Sequence, residues 1–241
     1  MQLFYSQHIE GSKIYLSDQE AQHCAKVLRN KVGDVINVLD GQGTRYRGVI
    51  SSSKKSEVII SDSTIVEQQT SRPTLPTLTV GLLKNNTRLE WMIEKAVEIG
   101  VARITLVNCK RSERSKVNLV RLAKIMLSAM KQSKRLYLPE IQGVVSFDYC
   151  LRDMSSYQMY IAHYRAGQKT LYRQQLSDEK SQGILIGPEG DFTDQEVASA
   201  VDSGCIPINL GSARLRTETA AVVSLVALNN KIQHQDIKEV L

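Results

Sequence analysis

The chain has 241 residues, 42% of them hydrophobic, and a formal net charge of +6. A chain of that length buries roughly 70 to 75% of its unfolded surface without a disulfide or metal staple, and no apolar run approaches the roughly 20 residues of a membrane span. The opening MQLFYSQHIE has no basic or apolar leader block, and Cys24, Cys109, Cys150 and Cys205 lie far apart with no CxxC. The expectation is a cytoplasmic protein with reduced thiols, no membrane attachment and no metal site.

In chain order, Ser17 and Glu20 have capping-box spacing and predict a helix through AQHCAKVLRN that ends before Gly33. Short β-like runs follow at Val35 to Leu39, Tyr46 to Ile50 and Val58 to Ile60, with the turn DGQG between the first two. Closely spaced strands of this kind predict a small barrel over residues 1–70. The polar, proline-punctuated stretch around 71–77 reads as a linker. From residue 78 the rhythm changes to alternating strand and helix: a strand at Leu78 to Leu83, then RLEWMIEKAVEIG with Leu89, Met92, Ile93, Ala96 and Val97 on one helical face and Gly100 as its stop. Further strands are predicted at Ile104 to Val107, Met159 to Ala162, Ile184 to Ile186 and Ile206 to Leu210, and a helix from Asp194 to Ser203 capped by Thr193 and Glu196. That alternation implies a mostly parallel sheet.

Charge is unevenly placed. Residues 1–70 carry eight basic and eight acidic side chains, whereas 103–135 carry ten basic residues against the single acid Glu113. Within that segment, VNLVRLAKIMLSAMKQSKR has a helical period that places Val120, Ala123, Leu127 and Met130 toward a core, with Arg121, Lys124, Ser128, Lys131 and Arg135 on a neighbouring face. One sign concentrated on one face is the footprint of a polyanion, and such contacts supply affinity and salt dependence without sequence information.

Two apolar runs break at glycines: ILI into Gly187-Pro188-Glu189-Gly190, and IPINL into Gly211 and then LRTETA. If these are neighbouring parallel strands, their loops lie side by side and form the usual ligand crevice of an open α/β sheet. Neither GxxxxGK[ST] nor GxGxxG is present, which removes the ordinary triphosphate and dinucleotide fingerprints.

The strings QHCAKVLRNKVGD, VLDGQGTRY, EKAVEIGV, RSERS, KQSKR, LIGPEGDFTDQE and LGSARLRTETAA follow, in order and over nearly the whole length, the pattern of the RsmE family. The chain thus resembles SPOUT-superfamily methyltransferases that use S-adenosylmethionine to modify N3 of a uridine, the U1498 position, of bacterial 16S ribosomal RNA in the small ribosomal subunit. The resemblance implies an α/β fold: a SPOUT-type parallel sheet with a C-terminal trefoil knot over 78–241, an exception to the rule against knots, behind a PUA-like RNA-binding barrel at 1–70. It implies a homodimer. It makes Gly187, Glu189, Gly190, Leu210, Gly211, Leu215, Arg216 and Thr217 the residues that hold the cofactor, while the charge pattern makes Arg111, Arg114, Arg121, Lys124, Lys131 and Arg135 the RNA contacts, with Lys26 and Arg29 as a cation cluster of the barrel. The chain departs from the family pattern at Asp191, where a second glycine is common, and at Ala213 and Arg214.

Methyl transfer to an imide nitrogen needs donor and acceptor held in line, and either a base for the N3 proton or a cation for the uracil anion. Arg216 suits the cation and Glu218 the base; a mutual ion pair bracing the loop is the alternative. Trp91 suits base stacking or half-buried packing, and His23 a structural or phosphate-facing role. Two other functions remain open: a ribosomal RNA-binding assembly factor with a vestigial cleft, and a related enzyme acting on ribose or on tRNA.

Overall fold

The computed structural model describes residues 2–163 and 181–239; the parts of the expected domains at 1, 164–180 and 240–241 lie outside the described residues. The chain divides into two compact units, Met1–Pro73 with Leu127–Leu138, and Thr74–Met126 with Pro139–Leu241.

In the first unit, β1 (Leu3–Tyr5), β2 (Ile9–Glu10), β3 (Lys13–Ser17), β4 (Val35–Leu39), β5 (Thr44–Ser53) and β6 (Glu57–Gln68) form one sheet in the order β1-β4-β5-β6-β3-β2. Only β1 and β4 run parallel. Alternation puts Ile14 and Leu16 of β3, Ile36 and Val38 of β4, and Val58 and Ile60 of β6 into one core with Phe4 and Cys24. Three register shifts between β5 and β6 bend the sheet.

The helix expected at Ser17 is short. α1 covers Asp18–Gln22 and runs into a π-helical turn, His23–Val27. The capping box does not form, because Ser17 makes no side-chain cap and Glu20 is recruited elsewhere. Its carboxylate accepts the Tyr5 amide at 2.9 Å and pairs with Lys131 at 2.5 Å. His23 lies against Phe4, ring centroids 6.0 Å apart, so its role is packing.

The second unit is built on β7 (Thr77–Gly81), α2 (Asn86–Ile99), β8 (Arg103–Asn108), β9 (Glu140–Ser146), α4 (Phe147–Asp153), β10 (Gln158–Ala162), β11 (Gln182–Ile186), α5 (Asp194–Asp202), β12 (Ile206–Ile208) and α6 (Thr217–Glu239), with α3 (Leu119–Ser133) having residues in both units. All strand pairs in its sheet are parallel, in the order β12-β10-β11-β7-β8-β9. The two apolar runs that end at glycines are therefore not neighbours. β10 lies between them, a correction to the adjacency read from the sequence.

α2 is as expected: Asn85 accepts the Arg88 amide at 3.2 Å, Leu89, Met92, Ile93, Ala96 and Val97 are buried, and Gly100 stops the helix at φ 112°. α5 carries the Thr193–Glu196 capping box in both directions. α3 corrects its expected phase. Leu122, Met126, Ala129 and Met130 are buried, while Val120 is 69% exposed and Leu127 half-buried. LVRLAKIML carries two overlapping apolar stripes, and a period alone does not choose between them.

The core on one side of the sheet gathers Val107, Phe147, Ile161, Leu185 and Phe192 with Cys109, Cys150 and Cys205. All four cysteines are buried free thiols. Burial pushes the Cys150 thiol up to about 12 and Cys205 up to about 11, and raises Cys109 further. Among the described residues no helix is long and apolar enough to cross a membrane.

Candidate functional site

Parallel strands β7, β11 and β10 end side by side at Gly81, Ile186 and Ala162. Beyond β11 the loop 187–191 folds back over β7 because Gly81 has no side chain: a Cβ there would stand 2.4 Å from Pro188 Cδ. The Lys84 amide donates to both carboxylate oxygens of Glu189, at 3.1 and 3.3 Å. Arg111 donates to the carbonyls of Gly190 and Phe192, at 3.0 and 3.1 Å, and the Lys110 amide to Glu196 at 2.7 Å. The loop is thus laced to the segments that follow β7 and β8.

Gly187 and Gly190 serve close approach rather than positive φ. Their missing Cβ atoms would meet Asp191 Oδ1 at 3.0 Å and Arg111 Cβ at 3.1 Å. The left-handed residue of this loop is Asp191, at φ 61°. On the other side, Gly211 turns at φ 130° with its amide on Asn209 Oδ1 at 3.3 Å, and the Arg216 carbonyl starts α6 by accepting the Ala220 amide at 2.8 Å.

Between the two loops lies a cavity of about 390 Å³, within the size range of small-molecule sites. Gly187, Glu189, Leu210, Gly211, Leu215, Arg216 and Thr217 line it; Gly190 does not. Two further lining residues, Arg88 and His163, were missed by sequence reasoning; Asp191, Ala213 and Arg214, where the chain departs from the family pattern, line the cavity too. His163 follows β10, whose place between β12 and β11 no local pattern reveals. Arg88 sits in the first turn of α2, distant in sequence from both loops.

Glu218 is 8% exposed, its Oε1 3.7 Å from Arg88 Nε, and among the described residues its Oε2 is buried without a hydrogen-bond partner. Arg216 is exposed and makes no hydrogen bond or ion pair among the described residues. The Arg216–Glu218 brace is therefore absent, and Glu218 faces Arg88 instead.

The expected RNA contacts separate into two groups. Arg111 holds the 187–191 loop; Arg114 is spent on the carbonyls of Lys84 and Lys116 and on Asn86; Arg121 pairs with Glu90 at 2.5 Å; and Lys131, 16% exposed, pairs with Glu20. Arg135 is partly buried, which lowers its pKa. Lys26, Arg29 and Lys124 are exposed and have no ion pair among the described residues. Trp91 is 43% exposed.

An RNA methyltransferase domain model matches residues 70–229, and an RNA methyltransferase PUA domain model residues 16–62. The ribosomal RNA small subunit methyltransferase E of Buchnera aphidicola is 30% identical, over 89% of this chain and 86% of its own, and that of Bacillus subtilis 27% identical, over 92% of each. A Porphyromonas gingivalis crystal structure described as an rRNA-methyltransferase superposes with a TM-score of 0.84 at 33% identity, covering 98% of this chain and 100% of that one. A Legionella pneumophila protein described as a methyltransferase, solved in complex with the bound cofactor SAM, gives 0.85 at 27% identity, over 95% and 96%. On these matches the chain belongs to the ribosomal RNA small subunit methyltransferase E family of RNA methyltransferases.

Proposed function

We propose that the chain methylates N3 of one uridine, the U1498 position, of 16S ribosomal RNA, taking the methyl group from S-adenosylmethionine bound between the 187–191 and 209–217 loops. The observation that carries this reading is the cavity itself: about 390 Å³, at the ends of parallel strands, walled by glycine-bearing loops and by the carboxylate-bearing residues Glu189 and Asp191. These features fit an adenosyl ligand, which needs close backbone approach for its polar edges and acceptors for its hydroxyl and ammonium groups. Gly187, Glu189, Gly190, Leu210, Gly211, Leu215, Arg216 and Thr217 would hold it. When bound, S-adenosylmethionine supplies an electrophilic methyl group on a sulfonium.

The remaining work falls to the chain. Glu218 accepts the N3 proton, and Arg88, its Nε 3.7 Å from Oε1, holds the carboxylate in place. The Arg216 guanidinium stabilises the negative charge that spreads onto the uracil carbonyl oxygens. Lys26, Arg29 and Lys124 bind phosphates and set register without reading sequence. The target base has to be splayed from its RNA context to enter.

The trefoil knot belongs to the same proposal, supported by a strand order in which the chain places β11 and β12 on opposite flanks of β10. So does a homodimer in the cytoplasm, supported by apolar Trp91 and Val226 exposed on the mutually packed α2 and α6. The test is transfer of labelled methyl from S-adenosylmethionine into small ribosomal subunits from a strain lacking the activity. Label on a base of the 16S RNA is expected; no label would leave a binding protein, and label on a ribose a related enzyme.

A further inference from the structure

His163 touches both sides of the cavity. Its backbone N–H donates to the Ile208 carbonyl at 3.1 Å, which ties the end of β10 to β12 and hence to the 209–217 loop. Its ring Nδ1 lies 3.3 Å from Asp191 Oδ2 in the opposite loop, with the His163 side chain 10% exposed and that of Asp191 36%. Asp191 is pinned three ways: its amide donates to the Pro188 carbonyl at 2.9 Å, its Oδ1 accepts the Phe192 amide at 2.7 Å, and its Oδ2 meets His163. Phe192 in turn is buried in the core. The backbone of Asp191 sits at φ 61°, where glycine is comfortable and an L side chain is not. A strained conformation kept at the wall of a ligand cavity is a sign that the side chain has work there.

We propose that His163 and Asp191 form a clasp that sets the separation of the two loops, and that both are positioning residues for the adenosyl ligand. The inference rests on reading the cavity as the S-adenosylmethionine site. Without the clasp, the 187–191 loop keeps its ties to Lys84 and Arg111 and its root on β11, but loses the side-chain contact between Asp191 and His163. The ligand must then order the two loops itself, which weakens binding.

The experiment is calorimetric titration of the purified full chain with S-adenosylmethionine and with S-adenosylhomocysteine, alongside thermal melts. Asp191→Gly relieves the φ strain, so its melting temperature is held or raised while Kd for both ligands rises roughly five- to tenfold, the worth of one close polar contact. His163→Ala weakens binding by a similar factor, and the double variant is no more than about twofold worse than either single one, because the two act through one contact. His163→Asn, which keeps a donor at the Nδ1 position, recovers most of the affinity. Wild-type affinity in Asp191→Gly and His163→Ala, or additive losses in the double variant, would overturn the clasp. If the unaltered chain bound neither ligand, the reading of the cavity would fail and the clasp with it.

Discussion

Glu218 and Arg216 sit two residues apart at the start of α6, yet their surroundings differ. Among the described residues, Glu218 is buried beside Arg88 with one carboxylate oxygen unsatisfied, and Arg216 is exposed without a hydrogen bond or ion pair. A buried acceptor left without a donor is costly to a resting protein, so its retention fits a group that meets a proton during the reaction. Arg216→Ala is expected to lower kcat roughly 100-fold or more in single-turnover assays, with a smaller change in S-adenosylhomocysteine affinity. Glu218→Gln, which fills the same space without basicity, lowers kcat by a comparable factor. An unchanged kcat for both variants would return these residues to a bracing role. Local sequence pointed at both residues but could not say which partner each has, because Arg88 arrives from a helix about 130 residues earlier in the chain.

Among the elements, the same capping-box spacing gave two outcomes. Thr193 and Glu196 close their box because Glu196 Oε2 reaches the Thr193 amide at 2.8 Å, its other oxygen taking the Lys110 amide. Ser17 and Glu20 do not, because Tyr5 and Lys131 claim the carboxylate. Tertiary demand decides between equal local signals. β11 was legible as a short apolar run because it is buried along its whole length, whereas the half-buried β9, EIQGVVS, gives no clean alternation. Strand order was not legible at all, and with it went His163. Two predictions belong here. Gly81→Ala drives a Cβ into Pro188, so it raises the S-adenosylhomocysteine Kd and lowers the melting temperature together; a silent substitution would show that the loop yields freely. Lys124→Ala reduces the slope of log affinity for RNA against log salt by about 0.7 to 0.9, and Arg121→Ala by less, since Glu90 already neutralises it. Equal effects would mean that the Arg121–Glu90 pair opens on RNA.

For the whole molecule, the buried thiols and Tyr160, whose phenol is pushed up to about 12 by burial, make stability fall at high pH. Their ordinary values are 9.0 for the thiols and 10.0 for the phenol. The unfolded chain releases these protons first, so stability is full below pH 9 and is lost as pH rises from about 9 toward 12. Urea titrations at pH 8 and pH 10 should show the drop; a flat profile would mean that these groups titrate in the folded chain as they do in water. The parallel sheet was foreseeable from the chain, since it rests on the local alternation of strand and helix. The assignment of 127–138 to the first unit was not, because it depends on contacts such as Lys131–Glu20 between residues more than 100 apart. The central claim is enzymatic and positional, and mass mapping of 16S RNA after incubation of undermethylated small subunits with the chain and S-adenosylmethionine tests it most directly. The account predicts a single added methyl on the base of one uridine, blocking its pairing edge as N3 methylation must; a methyl on a ribose, on another base, or nowhere in the 16S RNA would contradict it.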